Sequence, residues 1–415
     1  MELLEFLEQS PTAYQAVANI KDMLLSSGAV ELSEKEAWQV EEDKTYFVIR
    51  NDSAIIAFHA PKGAKSFRVY AAHGDSPVFK IKENPEVVTE NRYVKLNVEA
   101  YGGMIMSTWL DKPLTVAGRV IVKEGDAFKT RPVFLKDLTL VIPNVAVHMN
   151  REINDGFKYN VQTDLMPLYG DIEAKGTFME KVAENAGVLE EDILGHDLYL
   201  VPKEQPFFWG PENEYFSSPR IDDLECAFTG AKGFMEAEKK AHICVLAIFD
   251  NEEVGSGTRQ GAASTFLPDT LIRLKEALGL SDSDYRRYIA GSFLASADNG
   301  HAVHPNHPEK TDPTNRPVLN GGVLLKYAAS QAYTTDGYAA AVFKDICKEA
   351  KVPFQIFFNR SDMRGGSTLG NISLRQVAFP SADIGLAQLS MHSSMETAGA
   401  KDIDHMVGFV KQLFS

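Results

Sequence analysis

Residues 245–257 read VLAIFDNEEVGSG, an apolar run that ends in Asp250, Glu252 and Glu253 just before two glycines. Carboxylates this close together repel one another. At the end of a buried strand such a cluster persists when cations share it or when one acid keeps its proton. Alone, the stretch is as compatible with a solvated acidic turn. It does not stand alone, because other polar residues occupy comparable places: His73 and Asp75 after the run 67–72, Asp298 after the run ending at Ala297, and His392 beyond the run near Ile384. Ser361 and Asp362 follow 354–358, and Asp222 and Asp223 precede a helical pattern. Histidines and carboxylates converging on one rim make a nitrogen and oxygen site for zinc or a similar divalent ion. Two such ions balance Asp222, Asp298, Glu253 and a bridging hydroxide, so the acid content favours two metals over one. Ions roughly 3.5–4 Å apart can share a carboxylate and a water, acidify that water and stabilise the oxyanion formed at a carbonyl. One acid must then stay outside the metal shell as general base, and the adjacent Glu252 and Glu253 can divide the two roles. In His73-x-Asp75 the carboxylate is placed to accept the second imidazole proton and fix the ring.

Such a rim needs strands that end together. Residues 2–27 carry a helical stripe (Tyr14, Val17, Ile20, Leu24) broken at Ser10-Pro11 and stopped at Gly28. Short extended runs follow at 45–50, 54–59 and 67–72. After Asn213 strand and helix patterns alternate: helix 224–237, strands 243–249 and 292–297, helices 322–331 and 336–349, strands 353–358 and 381–386, and helix 402–414. Alternation of this kind predicts an α/β fold, a mostly parallel mixed sheet with helices on both faces, whose ligands bind at the carboxyl ends of the strands. Residues 85–211 differ, with β-like runs at 92–100, 114–122, 133–135 and 138–142. They are expected to form an inserted β-rich domain that splits a catalytic domain built from 1–84 and 212–415.

The length of 415 residues suits two or three domains. A formal charge of −15 argues against nucleic-acid or anionic-membrane partners, since phosphate would be repelled. The opening residues lack the basic region and apolar core of a secretion signal, and no apolar run reaches membrane-spanning length. Cys226, Cys244 and Cys347 lie far apart, which fits a reduced cytoplasm and leaves histidine and carboxylate as the metal ligands.

Five ordered motifs, HGDSP at 73–77, SPRIDDL at 218–224, DNEEVGS at 250–256, SADNGHAVHPN at 296–306 and MHSSME at 391–396, together resemble the aspartyl aminopeptidase family of two-metal aminopeptidases. FLEQSPTAY at 6–14, YGG at 101–103, Trp109 and LTVAGR at 114–119 are similar to it as well. The resemblance implies that His73, Asp222 and Asp298 hold one metal, and that Asp222, Glu253 and His392 hold the other. Glu252 would be the general base and Asp75 the residue orienting His73. It implies two divalent ions, zinc first with manganese or cobalt as alternatives, and a cytoplasmic enzyme acting on peptides with an acidic first residue. The insertion would serve dimerisation, with His148 reaching a neighbouring subunit's active site, and the homo-oligomer would be a tetrahedral dodecamer built from dimers. Lys326 falls where the family carries a lysine associated with acidic substrate side chains.

The sequence departs from the family's pattern at Asp223, where asparagine is common, at Gly74, where threonine is common, and at Arg360, Asp362 and Arg364 near the expected substrate side. A two-metal aminopeptidase of neutral or broad specificity, or a carboxypeptidase or deacylase on a similar scaffold, therefore remains an alternative. His301, His304 and His307 form an H-x2-H-x2-H series, but Pro305 rules out a regular helix there, which favours a loop with substrate-side contacts from His301 and His304 over a third metal. The glycines at 255, 257 and 261 suggest a dinucleotide loop, yet Glu252 and Glu253 would face a pyrophosphate with like charge. The stretch 365–370 lacks the lysine of a P-loop and is expected to shape a pocket floor through its backbone.

Overall fold

The computed structural model describes residues 1–363, 365–366 and 369–415. The chain divides into two compact units, one of Met1–Asp75, Pro206–Met391 and Glu396–Ser415, the other of Ser76–Gln205 and His392–Met395.

The first unit is built on a nine-stranded sheet. Its strands run in the order Val30–Leu32, Thr45–Arg50, Ala54–His59, Ile243–Phe249, Phe67–His73, Phe293–Ala297, Ser381–Gly385, Val323–Tyr327 and Phe354–Phe358. Five of its eight pairings are parallel and three antiparallel. Successive side chains of a strand point to opposite faces, and the interior strand Ile243–Phe249 shows the result. Cys244, Leu246 and Ile248 enter a core shared with helices Leu3–Gln9, Ala13–Ser26, Ile221–Glu236, Gly337–Ala350 and Asp402–Leu413. Ile243, Val245, Ala247 and Phe249 enter a second core with helices Phe266–Ala277 and Asp282–Ala290. A strand covered on both faces has no place for a polar alternation, which is why this one reads as an unbroken apolar run. Cutting Leu246 to alanine would cost about 2–5 kcal/mol through lost transfer energy and a cavity. A smaller five-stranded sheet, ordered Phe207–Trp209, Tyr215–Ser218, Glu396–Gly399, Ala387–Leu389 and Gly300–His301, belongs to the same unit.

Residues 322–331, expected as a helix, contain instead the strand Val323–Tyr327. A five-residue apolar run does not distinguish the two states by periodicity. Pairing decides it here: the run is parallel to Phe354–Phe358 and antiparallel to Ser381–Gly385. Gly322, at φ +95°, lies so close to Pro353 that a Cβ would stand 2.0 Å from its carbonyl oxygen, so the entry to the strand needs glycine. That antiparallel step also reverses Phe354–Phe358 relative to Phe67–His73. Ser361 and Asp362 therefore leave the sheet at the end opposite to His73, and not on the shared rim expected for them.

The second unit holds a six-stranded antiparallel sheet, ordered Ala127–Phe134, Leu114–Glu124, Ile193–Pro202, Val78–Thr89, Tyr93–Tyr101 and Leu168–Asp171. Phe79, Leu96, Val116, Val120 and Leu198 are buried in its own core together with Phe178 and Val182 of the helix Phe178–Ala186. That helix was not evident in a sequence stretch dominated by β-like runs.

Candidate metal centre

Three neighbouring parallel strands bring the first donors together. Ile243–Phe249 pairs with Phe67–His73 so that Phe249 stands opposite His73, and Phe293–Ala297 flanks the other side. The residues that follow them therefore emerge at one end of the sheet. The Gly74 amide donates to the Phe249 carbonyl at 2.8 Å, which keeps the two exits together. Beyond Phe249 the chain turns sharply, with Asn251 at φ 62° and Gly255 at φ 94° bracketing the single 3-10 turn Glu252–Val254. The side-chain oxygen of Asn251 accepts from Thr258 and Gln260 at 2.7 and 2.8 Å and so holds the bracket shut. No dinucleotide loop forms, since the next helix starts only at Phe266.

Asp75 ties the histidine to the glutamates. Its Oδ1 and Oδ2 accept from the backbone amides of Glu252 and Glu253 at 3.1 and 3.2 Å. His73 Nδ1 lies 3.1 Å from the Asp75 carbonyl and 3.3 Å from its Oδ1, which turns the other nitrogen, Nε2, to within 3.6 Å of Asp222 Oδ1. An imidazole held at one nitrogen presents the other as a ligand. Asp222 and Asp223 stand at the start of helix Ile221–Glu236 with non-helical backbone angles, and the peptide between them is cis. Asp223, at the helix start, is placed where a capping residue would stand. Its Oδ2 instead accepts from the His73 amide at 3.2 Å, deep in the interior.

Within the first unit two groups of donors result. His73, Asp222 and Asp298 can offer ligand atoms all within 4.8 Å of one another, and so can His73, Glu252 and Glu253. On the side chains alone the acids are frustrated. Burial pushes Glu252 up to about 8, with His73 opposing and Asp298, Asp75 and Asp222 reinforcing. Burial also takes Asp298 up to about 6 against the pull of Lys326, and holds Glu253 well above the carboxylate range. For His73 burial acts downward, but hydrogen bonds to Asp222 and Asp75 outweigh it and the ring is held well above its ordinary value. Crowded carboxylates and one oriented imidazole are the donor set that divalent zinc takes. The residues fit such an ion, whose charge would relieve the repulsion.

The remaining expected residues are placed as follows. Lys326 is 1 % exposed, donates to the Asn299 carbonyl at 2.7 Å and stands 3.7 Å from Asp298 Oδ2. It is a strand residue covered on both sides, so its charge faces a candidate ligand. His392 lies in the segment grouped with the second unit, where its Nδ1 is 2.5 Å from the Gly103 carbonyl. His148 sits on an exposed turn in which Met149 donates to the Ala146 carbonyl at 2.8 Å. His301, His304 and His307 lie in and after the short strand Gly300–His301 and line a cavity of about 390 Å³ with Lys310, Phe357 and Arg360. Arg360 is engaged by Asp362 through two bonds of 2.9 and 2.7 Å. Arg364 and part of the 365–370 stretch lie outside the described residues.

Sequence reasoning missed the polar layer behind these donors: Glu225, Asn299, Gln388 and Glu396, each at most 2 % exposed. Glu396 Oε2 accepts from the Asp222 amide at 3.0 Å. A glutamate at the buried face of an otherwise apolar helix, as Glu225 is, was the available signal.

A family model described as Aminopeptidase I zinc metalloprotease (M18) matches residues 6–414. A probable M18 family aminopeptidase 2 of Clostridium acetobutylicum is 44% identical over 414 residues, spanning 98% of this chain and 95% of its own. An aspartyl aminopeptidase of Dictyostelium discoideum is 34% identical over 462 residues, spanning 100% and 95%. Among solved structures, the matched chain in the cryo-EM structure of the Ape4 and Nbr1 complex gives a TM-score of 0.95 at 34% identity, over 99% of this chain and 84% of that one. The crystal structure of an M18 family aminopeptidase from Thermotoga maritima gives 0.85 at 25% identity, over 99% and 94%. With nearly its whole length matched, the chain belongs to the M18 family of zinc metalloaminopeptidases.

Proposed function

We propose that this metalloaminopeptidase hydrolyses the first peptide bond of substrates with an acidic N-terminal residue, using two divalent ions, zinc first. The observation that carries the metal reading is that His73, Asp222 and Asp298 can offer ligand atoms all within 4.8 Å of one another, with Glu253 brought to the same histidine in a further group. His73, Asp222 and Asp298 are assigned to one ion, and Asp222, Glu253 and His392 to the other, the last on the strength of its motif. When bound, the ions would acidify a water and stabilise the negative charge that develops on the scissile carbonyl. Glu252, anchored through its amide to Asp75, takes the proton of the attacking water and returns it to the departing amine. Asp75 also fixes His73 as a ligand and is assigned as its orienting residue.

The acidic preference rests on Lys326, buried and positively charged beside Asp298, and on the name of the Dictyostelium relative. Its bond to the Asn299 carbonyl means that a substrate carboxylate would share this ammonium with a backbone oxygen and with Asp298. His301 and His304 are assigned to the substrate side and His148 to the active site of a second copy. The segment 85–211 is assigned to dimerisation within a tetrahedral dodecamer; one structural relative is the S. cerevisiae mApe1 dodecamer, with a TM-score of 0.85 at 26% identity. A cytoplasmic location is consistent with three free cysteines, Cys226, Cys244 and Cys347, and no helix of the described residues is long and apolar enough to cross a membrane.

The test is a panel of Asp, Glu, Leu and Lys chromogenic amides, each free and N-blocked, on protein whose metal content has been assayed. Cleavage of the free Asp and Glu compounds with two ions per chain is expected. Preference for Leu or Lys would overturn the acidic specificity, and cleavage of blocked substrates would overturn the exopeptidase mode.

A further inference from the structure

The candidate ligands Asp222 and Asp298 come from different elements, a helix start and a strand end, and something must set their separation. A closed ring of buried polar side chains connects the two places. Asn299, next to Asp298, spends both hydrogens of its amide: one bond goes to Glu225 Oε2 at 3.0 Å and one to Gln388 Oε1 at 2.7 Å. Its Oδ1 accepts from Cys226 Sγ at 3.0 Å. Gln388 Nε2 donates to Glu396 Oε1 at 3.4 Å, and Glu396 Oε2 accepts from the Asp222 amide at 3.0 Å. Glu225 lies three positions after Asp222 on the same helix, which closes the ring. The carbonyl of Asn299 also accepts from Lys326, the ammonium beside Asp298.

Such a layer is expensive to bury and stabilises little beyond an apolar replacement of the same shape. Its geometry, however, is exacting, because Asn299 adjoins Asp298, Glu225 lies three positions from Asp222, and Glu396 holds the Asp222 amide itself. We propose that Asn299, acting through Glu225 and Gln388, is a positioning residue that sets the spacing of Asp222 and Asp298 and so the affinity of the centre for divalent metal. The inference rests on the metal-centre reading above.

Zinc is titrated into metal-depleted protein in competition with a chromogenic chelator, beside thermal unfolding of the same metal-free samples. Asn299→Ala and Glu225→Leu are expected to weaken zinc binding roughly 10- to 100-fold, the usual effect of losing a residue that holds a ligand. Glu225→Gln keeps an acceptor for Asn299 in the same shape, so it is expected to bind zinc like wild type. Wild-type affinity in Glu225→Leu and Asn299→Ala would overturn the proposal. So would equal weakening in Glu225→Gln and Glu225→Leu with a matching fall in metal-free melting temperature, since that marks general loosening. If Asn299→Ala does not fold, the two Glu225 variants decide the matter. A wild-type protein that takes up no zinc would instead sink the metal-centre reading itself.

Discussion

The rim around His73 and the loop through His301, His304 and His307 are both rich in metal-ligating side chains, and they differ in what holds those side chains in place. The rim draws its donors from four separated segments, buries His73 and Asp222, half-buries Glu252, Glu253 and Asp298, and is tied through Asp75 to a tight turn. The loop draws three histidines from seven consecutive residues, and each already has a neighbour of its own. His301 lies 6.3 Å from the Phe357 ring, His304 Nδ1 accepts from the Asn306 amide at 3.2 Å, and His307 pairs with Glu309 at 3.3 Å. Among the described residues the three are not in any of the donor groups that could hold an ion. Closeness in sequence thus says little about a metal site. Convergence from different strands, with an excess of buried negative charge, says much more.

Removing the proposed base is the strongest way to break this contrast. Glu252→Gln leaves the ligand donors and the turn in place but takes away the group that accepts the water's proton. Turnover on an aminoacyl amide should fall by about 10²- to 10⁴-fold, with bound metal unchanged by elemental analysis. Undiminished hydrolysis would remove Glu252 from the mechanism.

Much of the rim was legible because its chemistry is local. An apolar run that stops at DNEE, and another that stops at HGD, announce strand ends with polar residues beyond them. What stayed hidden depends on distant pairing. Val323–Tyr327 could be told from a helix only by its partners at Phe354 and Ser381, and as part of that strand Lys326 is buried. Asp75 was expected to orient His73; that it also accepts from Glu252 and Glu253, 177 and 178 residues away in sequence, follows from strands adjacent in space. Asp223 follows the same pattern, its partner being the His73 amide and not its own helix.

A second contrast lies in the response to pH without metal. In the unfolded chain Glu252 ionises near about 4.3 and aspartate near about 3.9, whereas in the folded chain Glu252 is pushed up to about 8 and Asp298 up to about 6. Between those limits the folded state holds protons that the unfolded state has lost. Stability from these groups is therefore fully present below the unfolded values and drains away as pH rises. The raised His73 acts with the same sign. Metal-free protein should melt progressively lower from about pH 5 to pH 8, with a shallower slope in Glu252→Gln, and zinc should raise the melting temperature most at the upper end. Identical slopes in the two proteins would mean that Glu252 is not frustrated in the metal-free fold.

The smallest effect is expected in the loop. Because the Asn306 amide donates to Nδ1 of His304, a neutral ring carries its proton on Nε2 and can offer it toward a ligand in the cavity of about 390 Å³. One such bond is worth about 0.5–1.5 kcal/mol net, so His304→Ala should raise KM for a peptide about 2- to 10-fold with kcat and zinc content unchanged. His307, with 62% of its side chain exposed, contributes less, and His307→Ala should stay within about twofold of wild type. Loss of a zinc equivalent from His304→Ala would reverse the contrast and make the loop a metal site. An unchanged KM would leave His304 as a surface group, and the substrate side would then have to be read from Lys326 and His301.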